Sequence, residues 1–335
     1  MRNQTRELFD AYLAQVALLN GVASAVRTFT TAPTVAQRLE TRIQESSEFL
    51  GRINMIGVPE QSGQKVGLGV SGPVAGTTNT ATTDRATTDL TALDDRSYTC
   101  TQTNFDTHLT YAQLDAWAKF TDFQARIRDA IVKRQALDRI MIGWNGVSRA
   151  TTSNPSTNPL RQDVNIGWLQ KMRTENAARV IKEVVAASNK INIGATGDYK
   201  NLDALVFDMV NDLLQPWYQD DTELVVICGR TLLSDKYFPI INKTQDPSEQ
   251  LAADVVMSQK RIGGLPAVRV PYFPDGKLLI TRLDNLSLYW QEGTRRRTVV
   301  DNAKRDRIEN YESVNDAYVI EDLGCAAMAE NITLV

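Results

Sequence analysis

Few residues of this chain could carry chemistry on a substrate. There is one histidine, His108, and there are three cysteines, Cys100, Cys228 and Cys325, all far apart in sequence. General-base, nucleophilic and zinc chemistry draw on those residue types in convergent sets, so their scarcity removes most of it. Gly67-Leu-Gly69-Val-Ser-Gly72 matches the dinucleotide fingerprint letter by letter. That motif needs a helix directly behind it to hold a pyrophosphate, and here Pro73 and a threonine tract follow, so the glycines read as hairpin glycines. Ser71 has no Gly-x-Ser-x-Gly elbow and only His108 to serve as base. Asp220, Asp221 and Glu223, like Asp94 and Asp95, are adjacent acids of the kind found in solvated turns, without the convergent partners of a cation site. Arg295-Arg296-Arg297 and Lys304-Arg305 lie near Asp301, Asp306, Glu309 and Glu312, which predicts an exposed mixed-charge strand or ion pairs between subunits. No catalytic residue, metal or cofactor is expected.

Charge points the same way. The 37 Lys and Arg against 40 Asp and Glu leave −3 over 335 residues, with no cationic excess to neutralise a phosphate backbone. The length suggests about two domains with a substantial core. Cys228 falls in the apolar run Leu224 to Cys228, where a reduced thiol simply packs. No apolar run approaches the ~20 residues of a membrane span and no signal-peptide pattern opens the chain, so manufacture in the cytosol without membrane contact is expected.

The elements that must position these residues pose the real problem. Leu8, Phe9, Tyr12, Leu13, Val16 and Leu19 recur at helical spacing up to a stop at Asn20-Gly21. The small, Thr/Ala-rich segment from Gly21 to Pro33 reads as a flexible strap. A second helix is expected with Thr34 as N-cap and Gln37 completing a capping box, burying Val35, Leu39 and Ile43. From Ile53 to Leu109, scattered glycines and a threonine-rich tip predict a long two-stranded excursion, which alone in water is marginal. Thr110 and Gln113 then open a helix predicted to run unbroken over 111–142 to Gly143, about 48 Å at ~1.5 Å per residue. Its Arg126, Arg128, Lys133, Arg134 and Arg139 read as a solvated or ion-paired face. An apolar helix from Leu202 ends by Pro216, and a strand over Leu224 to Cys228 follows. A further helix should open at Asp246-Pro247-Ser248-Glu249, burying Leu251, Val255 and Val256. From Ala267 onward the pattern is β, giving an α+β class without repeated βαβ units. An amphipathic arm, an unsupported hairpin and an oversized helix expose surface that only further copies of the chain would cover.

Long stretches carry a resemblance. They include Gln44-Glu-Ser-Ser-Glu-Phe-Leu50, Arg126-Ile-Arg-Asp-Ala-Ile-Val-Lys-Arg-Gln135 to Trp144-Asn-Gly-Val147, Gly167-Trp-Leu-Gln-Lys171 and Pro216-Trp-Tyr-Gln219. Asp235-Lys-Tyr-Phe-Pro239, Ser258-Gln-Lys-Arg-Ile262, Leu265-Pro-Ala-Val-Arg-Val-Pro-Tyr-Phe-Pro274 and Glu309-Asn-Tyr-Glu-Ser313 extend it over nearly the whole chain. The chain resembles the major capsid proteins (gene product N) of the P-two-like temperate phages, with the Hong Kong 97 capsid fold. The resemblance implies an N-terminal helix and strap over 1–33, an arm over 34–52, an extended loop over 53–109 and a peripheral domain over 110–194 with its spine helix at 111–142. It further implies an axial domain over 195–265 and a β-rich return over 266–335.

It also implies self-assembly into hexamers and pentamers of an icosahedral head enclosing double-stranded DNA without sequence-specific contact. Partners would be an internal scaffold that is also a protease, a portal and head-completion proteins, with the virion as destination. Trimming is expected in the strap, with Thr28, Phe29, Thr30, Thr31 and Ala32 as the processing region. Asp84 and Arg85 at the loop tip, Arg126, Arg295, Arg296 and Arg297 are the candidates for contact between subunits. Covalent cross-links are not expected, because the tip offers Arg85 and the loop's one lysine, Lys65, lies well before it. A non-viral compartment built on the same fold is the competing reading.

Overall fold

The computed structural model describes residues 1–65, 69–70, 75–87, 91–92, 97–120, 122–233 and 261–335. The apolar stripe at the start folds as helix α1 (Asn3–Asn20), closed by Gly21 in the left-handed conformation at φ 64°. The strap departs from expectation. Phe29–Thr30 forms strand β1, paired with Arg296 and Arg297, and Ala25, Phe29 and Thr31 are buried. Asn20 Oδ1 accepts the Ala32 N–H at 3.1 Å and ties the strap's end back to the helix. Reading composition alone missed Phe29, whose ring gives the strap something to bury. Helix α2 (Pro33–Glu45) starts two residues early, with Ala32 at its N-cap, Pro33 in the first turn and no side-chain cap, so Thr34 does not form the expected box.

The next strands are β2 (Asn54–Val58), β3 (Ser62–Gln64), β4 (Gly69–Val70), β5 (Thr91–Ala92), β6 (Ser97–Thr99), β7 (Thr101–Asn104) and β8 (Thr107–Thr110). Antiparallel pairs β3–β6 and β4–β5 make the two-stranded excursion. Strands β2, β7 and β8 belong instead to a large sheet, so the free hairpin is shorter than 53–109.

Thr110 and Gln113 form the capping box, but the helix they open is short, α3 (Tyr111–Trp117). The expected single helix ends at Trp117, and a separate helix, α4 (Phe123–Asn145), carries on for 23 residues, about 35 Å. Nor does Gly143 stop it. Gly143 is buried in α4, where a Cβ would run into the Trp168 ring, and Cβ atoms at Gly146 and Gly167 would meet the Asn165 and Gly143 carbonyls. These glycines let α4 and the start of α5 (Trp168–Glu175) touch backbone to backbone.

Strands β9 (Val180–Ile181) and β10 (Ile191–Ile193), helices α6 (Leu202–Leu213) and α7 (Pro216–Gln219), and β11 (Val225–Cys228) follow. The helix expected at Asp246 lies outside the described residues. The β-rich return supplies β12 (Arg261–Ile262), β13 (Leu265–Val268), β14 (Leu278–Thr281), β15 (Leu286–Gln291), β16 (Arg296–Asn302), β17 (Arg307–Ile320), β18 (Ala327–Ala329) and β19 (Ile332–Leu334).

Among the described residues, one sheet has seven strands in the order β1-β16-β17-β15-β2, with β7 and β8 also on β17. Strand β17, 14 residues long, is its backbone. A second sheet runs β12-β13-β11-β14-β18-β9, and α6 packs its buried Leu205, Val206 and Met209 against it. The largest core lies where α2, α4 and α5 meet β15 and β17. There the Trp144 and Trp168 rings pack at a tilt with 4.9 Å between ring centres, and the Trp168 indole donates to Ser287 O at 3.0 Å. A third core seats α1 through Phe9, Tyr12 and Val16 on Leu114, Phe123, Ile127, Val299 and Ile308.

Candidate functional site

Among the described residues, no three histidine, cysteine or acidic side chains converge as a metal set. His108 lies on β8 opposite Glu309. All three cysteines are buried, and burial pushes the Cys100 and Cys325 thiols up to about 12. Asp221 and Glu223 are not merely solvated turn acids: both hold the Arg282 guanidinium, Asp221 at 3.0 Å. Of the dinucleotide-like motif, only Gly69–Val70 is described, and it is a hairpin strand; Ser71, Asp94 and Asp95 lie outside the described residues. No helix among the described residues is long and apolar enough to cross a membrane.

The contact candidates separate by direction. Asp84 and Arg85 are exposed at the hairpin tip, where the chain turns on Asn79. Arg126 is exposed too, but its Nε lies 2.7 Å from Asp122 and its guanidinium stands 4.1 Å over the Phe120 ring. Arg128 with Asp129 and Arg134 with Asp138 complete an ion-paired face on α4. Arg296 faces out. Arg295 and Arg297 do not, because a strand's two-residue period sends both to the opposite face. Arg297 donates to Asn310 Oδ1 at 2.7 Å and to the Tyr12 hydroxyl at 2.8 Å. Arg295 is 1% exposed and pairs with Glu40 and Glu312 of its own chain, so it is no subunit contact. Lys65 is likewise engaged: its ammonium is buried, donates to Ile320 O at 2.8 Å and lies 3.8 Å from Glu175.

Arg139, expected on the solvated face, is wholly buried, and with Arg295 it forms the centre of a charge cluster. Its Nε and Nη2 reach Asp316 at 3.2 and 3.1 Å, and both terminal nitrogens fork onto the Glu40 carboxylate. The Gln135 amide donates to Glu312 at 2.9 Å, and the Tyr318 hydroxyl donates to Arg139 O at 3.0 Å. The cluster thus rivets the arm helix α2 to α4, to the start of β16 and to β17. Burial works against the Glu40 charge, but Arg139 and Arg295 overcome it and hold the carboxyl at about 2. Asp316 bonds directly to Arg139 alone of the two guanidiniums, and burial, reinforced by the Glu40 charge, outweighs Arg139 and Arg295 and raises it to about 6. Spacing held the missed signal: Glu40 shares a helical face with Ala36 and Ile43, Gln135 and Arg139 are four apart, and Glu312 and Asp316 share a strand face.

What the molecule leaves open is surface. The tip residues 75–87 are exposed, as are Leu18 and Leu19 on α1, Val26 in the strap, and Phe207 and Trp217 on α6 and α7. A polar cleft of about 590 Å³ opens between α4, the β7–β8 corner and the loop after α4, lined by Asp106, Arg134, Arg149, Arg161 and Asp163 among others. These exposed patches and the hairpin tip are the candidate interfaces of the described residues.

Comparison with known proteins gives those interfaces a context. The chain is 54% identical over 340 residues to the "Capsid proteins" of Escherichia phage P2, covering 99% of this chain and 95% of the relative. It is 42% identical to the major capsid protein of Serratia phage KSP20, covering 99% and 98% of the two chains. Its structure superposes on a chain of the satellite phage P4 procapsid with a TM-score of 0.85 and 50% identity, over 100% of this chain and 99% of that one. A gene-transfer-agent capsid at 13% identity and TM-score 0.50, covering 86% of this chain and 90% of that one, shares the fold alone. The Hong Kong 97-like capsid fold expected from the sequence is therefore the fold observed. The family described as "Phage major capsid protein, P2 family" matches residues 8–332, and the chain belongs to that family.

Proposed function

We propose that this capsid protein assembles as hexamers and pentamers into the closed icosahedral head of a tailed phage, around double-stranded DNA that it encloses without reading. One observation carries the reading: the hairpin is anchored at its base, where Tyr98 of β6 packs on Tyr289, but it ends in an exposed polar tip over 75–87, and a two-stranded ribbon reaching that far from its own core needs other copies to support it. Simultaneous engagement of hairpin and arm adds individually weak contacts into a stable shell. The near-neutral charge suits a container that must release its polymer.

The same reading gives the chain an internal scaffold with protease activity, and a portal and head-completion proteins. The domain division follows it, with an arm over 34–52, an extended loop over 53–109, a peripheral domain over 110–194 and an axial domain over 195–265. Trimming within Thr28 to Ala32 requires β1 to peel from β16 first, because Phe29 and Thr30 are paired there, whereas Val26 to Thr28 are exposed. Asp84, Arg85, Arg126 and Arg296 remain the proposed subunit contacts. Lys65, held in its own chain, supports an uncross-linked shell.

Expression with and without the phage scaffold, followed by electron microscopy, tests the proposal. Closed shells of uniform size with scaffold are expected. Soluble monomers under both conditions would overturn it.

A further inference from the structure

The charge cluster contains more acid than base. Three carboxylates, Glu40, Glu312 and Asp316, face two guanidiniums, Arg139 and Arg295, and all five side chains are at most 4% exposed. Fully ionised, it would hold one uncompensated negative charge out of water, which a buried site relieves most cheaply by taking up a proton. Partner geometry shows where. Glu40 is held by both guanidiniums, and Glu312 by Arg295 and the Gln135 amide, while Asp316 shares Arg139 with Glu40. Opposite Asp316 on β7, the buried Thr101 hydroxyl oxygen has no hydrogen-bond partner and stands on the same sheet face as the carboxyl.

We propose that this cluster is a one-proton latch, in which a proton on Asp316 fastens the arm helix α2 to α4 and β17. With Asp316 ionised, two carboxylates press on Arg139 from α2 and β17. Strand β17 is held in mid-sheet on both edges, so α2 is the element that yields, and its buried side chains besides Glu40 are only Ala36 and Ile43. Of the remaining charged and titratable groups around the cluster, Arg297 lends its charge to Glu312, opposite it on the sheet, and none brings positive charge to Asp316. Asp106 accepts the Glu312 N–H, Cys100 and Tyr318 stay neutral because burial raises both, Asp138 is paired with Arg134, and Arg297 is turned to Tyr12. Burial raising Asp316 to about 6 agrees with this assignment. The latch is thus loose at neutral pH, where the shell is built, and tightens in mild acid.

Amide hydrogen exchange on the full-length chain, corrected for intrinsic rates, tests it from pH 7.5 to 5. Protection of residues 33–45 should be flat down to pH 6 and then rise up to about tenfold by pH 5, since closing α2 takes up one proton. Asp316→Asn, which carries the neutral form's shape, should show the tight level throughout, while Asp106→Asn keeps the wild-type profile. Pressing on the same point in the unaltered protein, carbon-13 carboxyl spectra should show one aspartate titrating near 6. A flat wild-type profile, an Asp316→Asn variant that keeps the rise, or no such aspartate would overturn the latch.

Discussion

Arg139→Ala is the sharpest test of how the arm is held. The side chain has no exposed surface, forks onto Glu40, reaches both oxygens of Asp316 and stands 5.6 Å from the Phe105 ring. Its removal leaves Asp316 without a hydrogen-bonded cation, with only the more distant Arg295 charge to offset it, and Glu40 with Arg295 alone. Breaking a buried pair in this way costs about 3–5 kcal/mol, because a charge stays behind in low dielectric. Part of that is recovered when Asp316 takes a proton, so about 3 kcal/mol is expected. Against a total of ~5–15 kcal/mol this is a large share of stability. Urea unfolding followed by tryptophan fluorescence reports it directly, because Trp144 and Trp168 lie in the same core that α2 and α4 close. Arg126→Ala, whose pair with Asp122 is exposed, is the control and should leave the midpoint where it was. A loss below about 1 kcal/mol for Arg139→Ala would mean that the cluster is not what fastens the arm.

Other outcomes follow from the same structure. Stability should peak between about pH 4 and 5: Glu40, lowered from 4.5 to about 2, contributes above 4.5 and is lost as pH falls towards 2, whereas Asp316, raised from 3.8 to about 6, adds stability as pH falls through 6 towards 3.8. Denaturant titration at pH 3, 5 and 8 would show this, and a monotonic rise from 3 to 8 would contradict it. Gly143→Ala should cost about 1–3 kcal/mol by driving a methyl into the Trp168 ring, read as a lower urea midpoint, and an unchanged midpoint would contradict the close approach. Intact-mass measurement on mature particles should find chains beginning between residues 22 and 33; a chain retaining Met1 or Arg2 refutes trimming. Boiling those particles in detergent should release monomers, and a ladder of covalent oligomers would contradict an uncross-linked shell.

Much of the fold was legible because it rests on local patterns. The α1 stripe, the Thr110–Gln113 box and the apolar α6 face each encode their own element within one or two helical turns. What escaped depended on long-range partners. The break after Trp117 is invisible to a period count, since Phe120 and Phe123 continue the apolar pattern across it. Gly143 reads as a stop until Trp168, 25 residues on, is brought against it. Arg139 and Arg295 look like surface charges because the acids that bury them lie 99, 177, 255 and 17 residues away. Composition cannot reveal a pairing that only tertiary structure makes. The scarcity of histidine and cysteine was easier to read, because composition needs no fold to display it.

The account stands most directly on the hairpin tip. A density map of the closed particle at side-chain resolution should place residues 75–87 of each copy against a neighbouring copy, with Asp84 and Arg85 in contact across the boundary. A map in which the tip projects into solvent, touching no other subunit, would contradict the account.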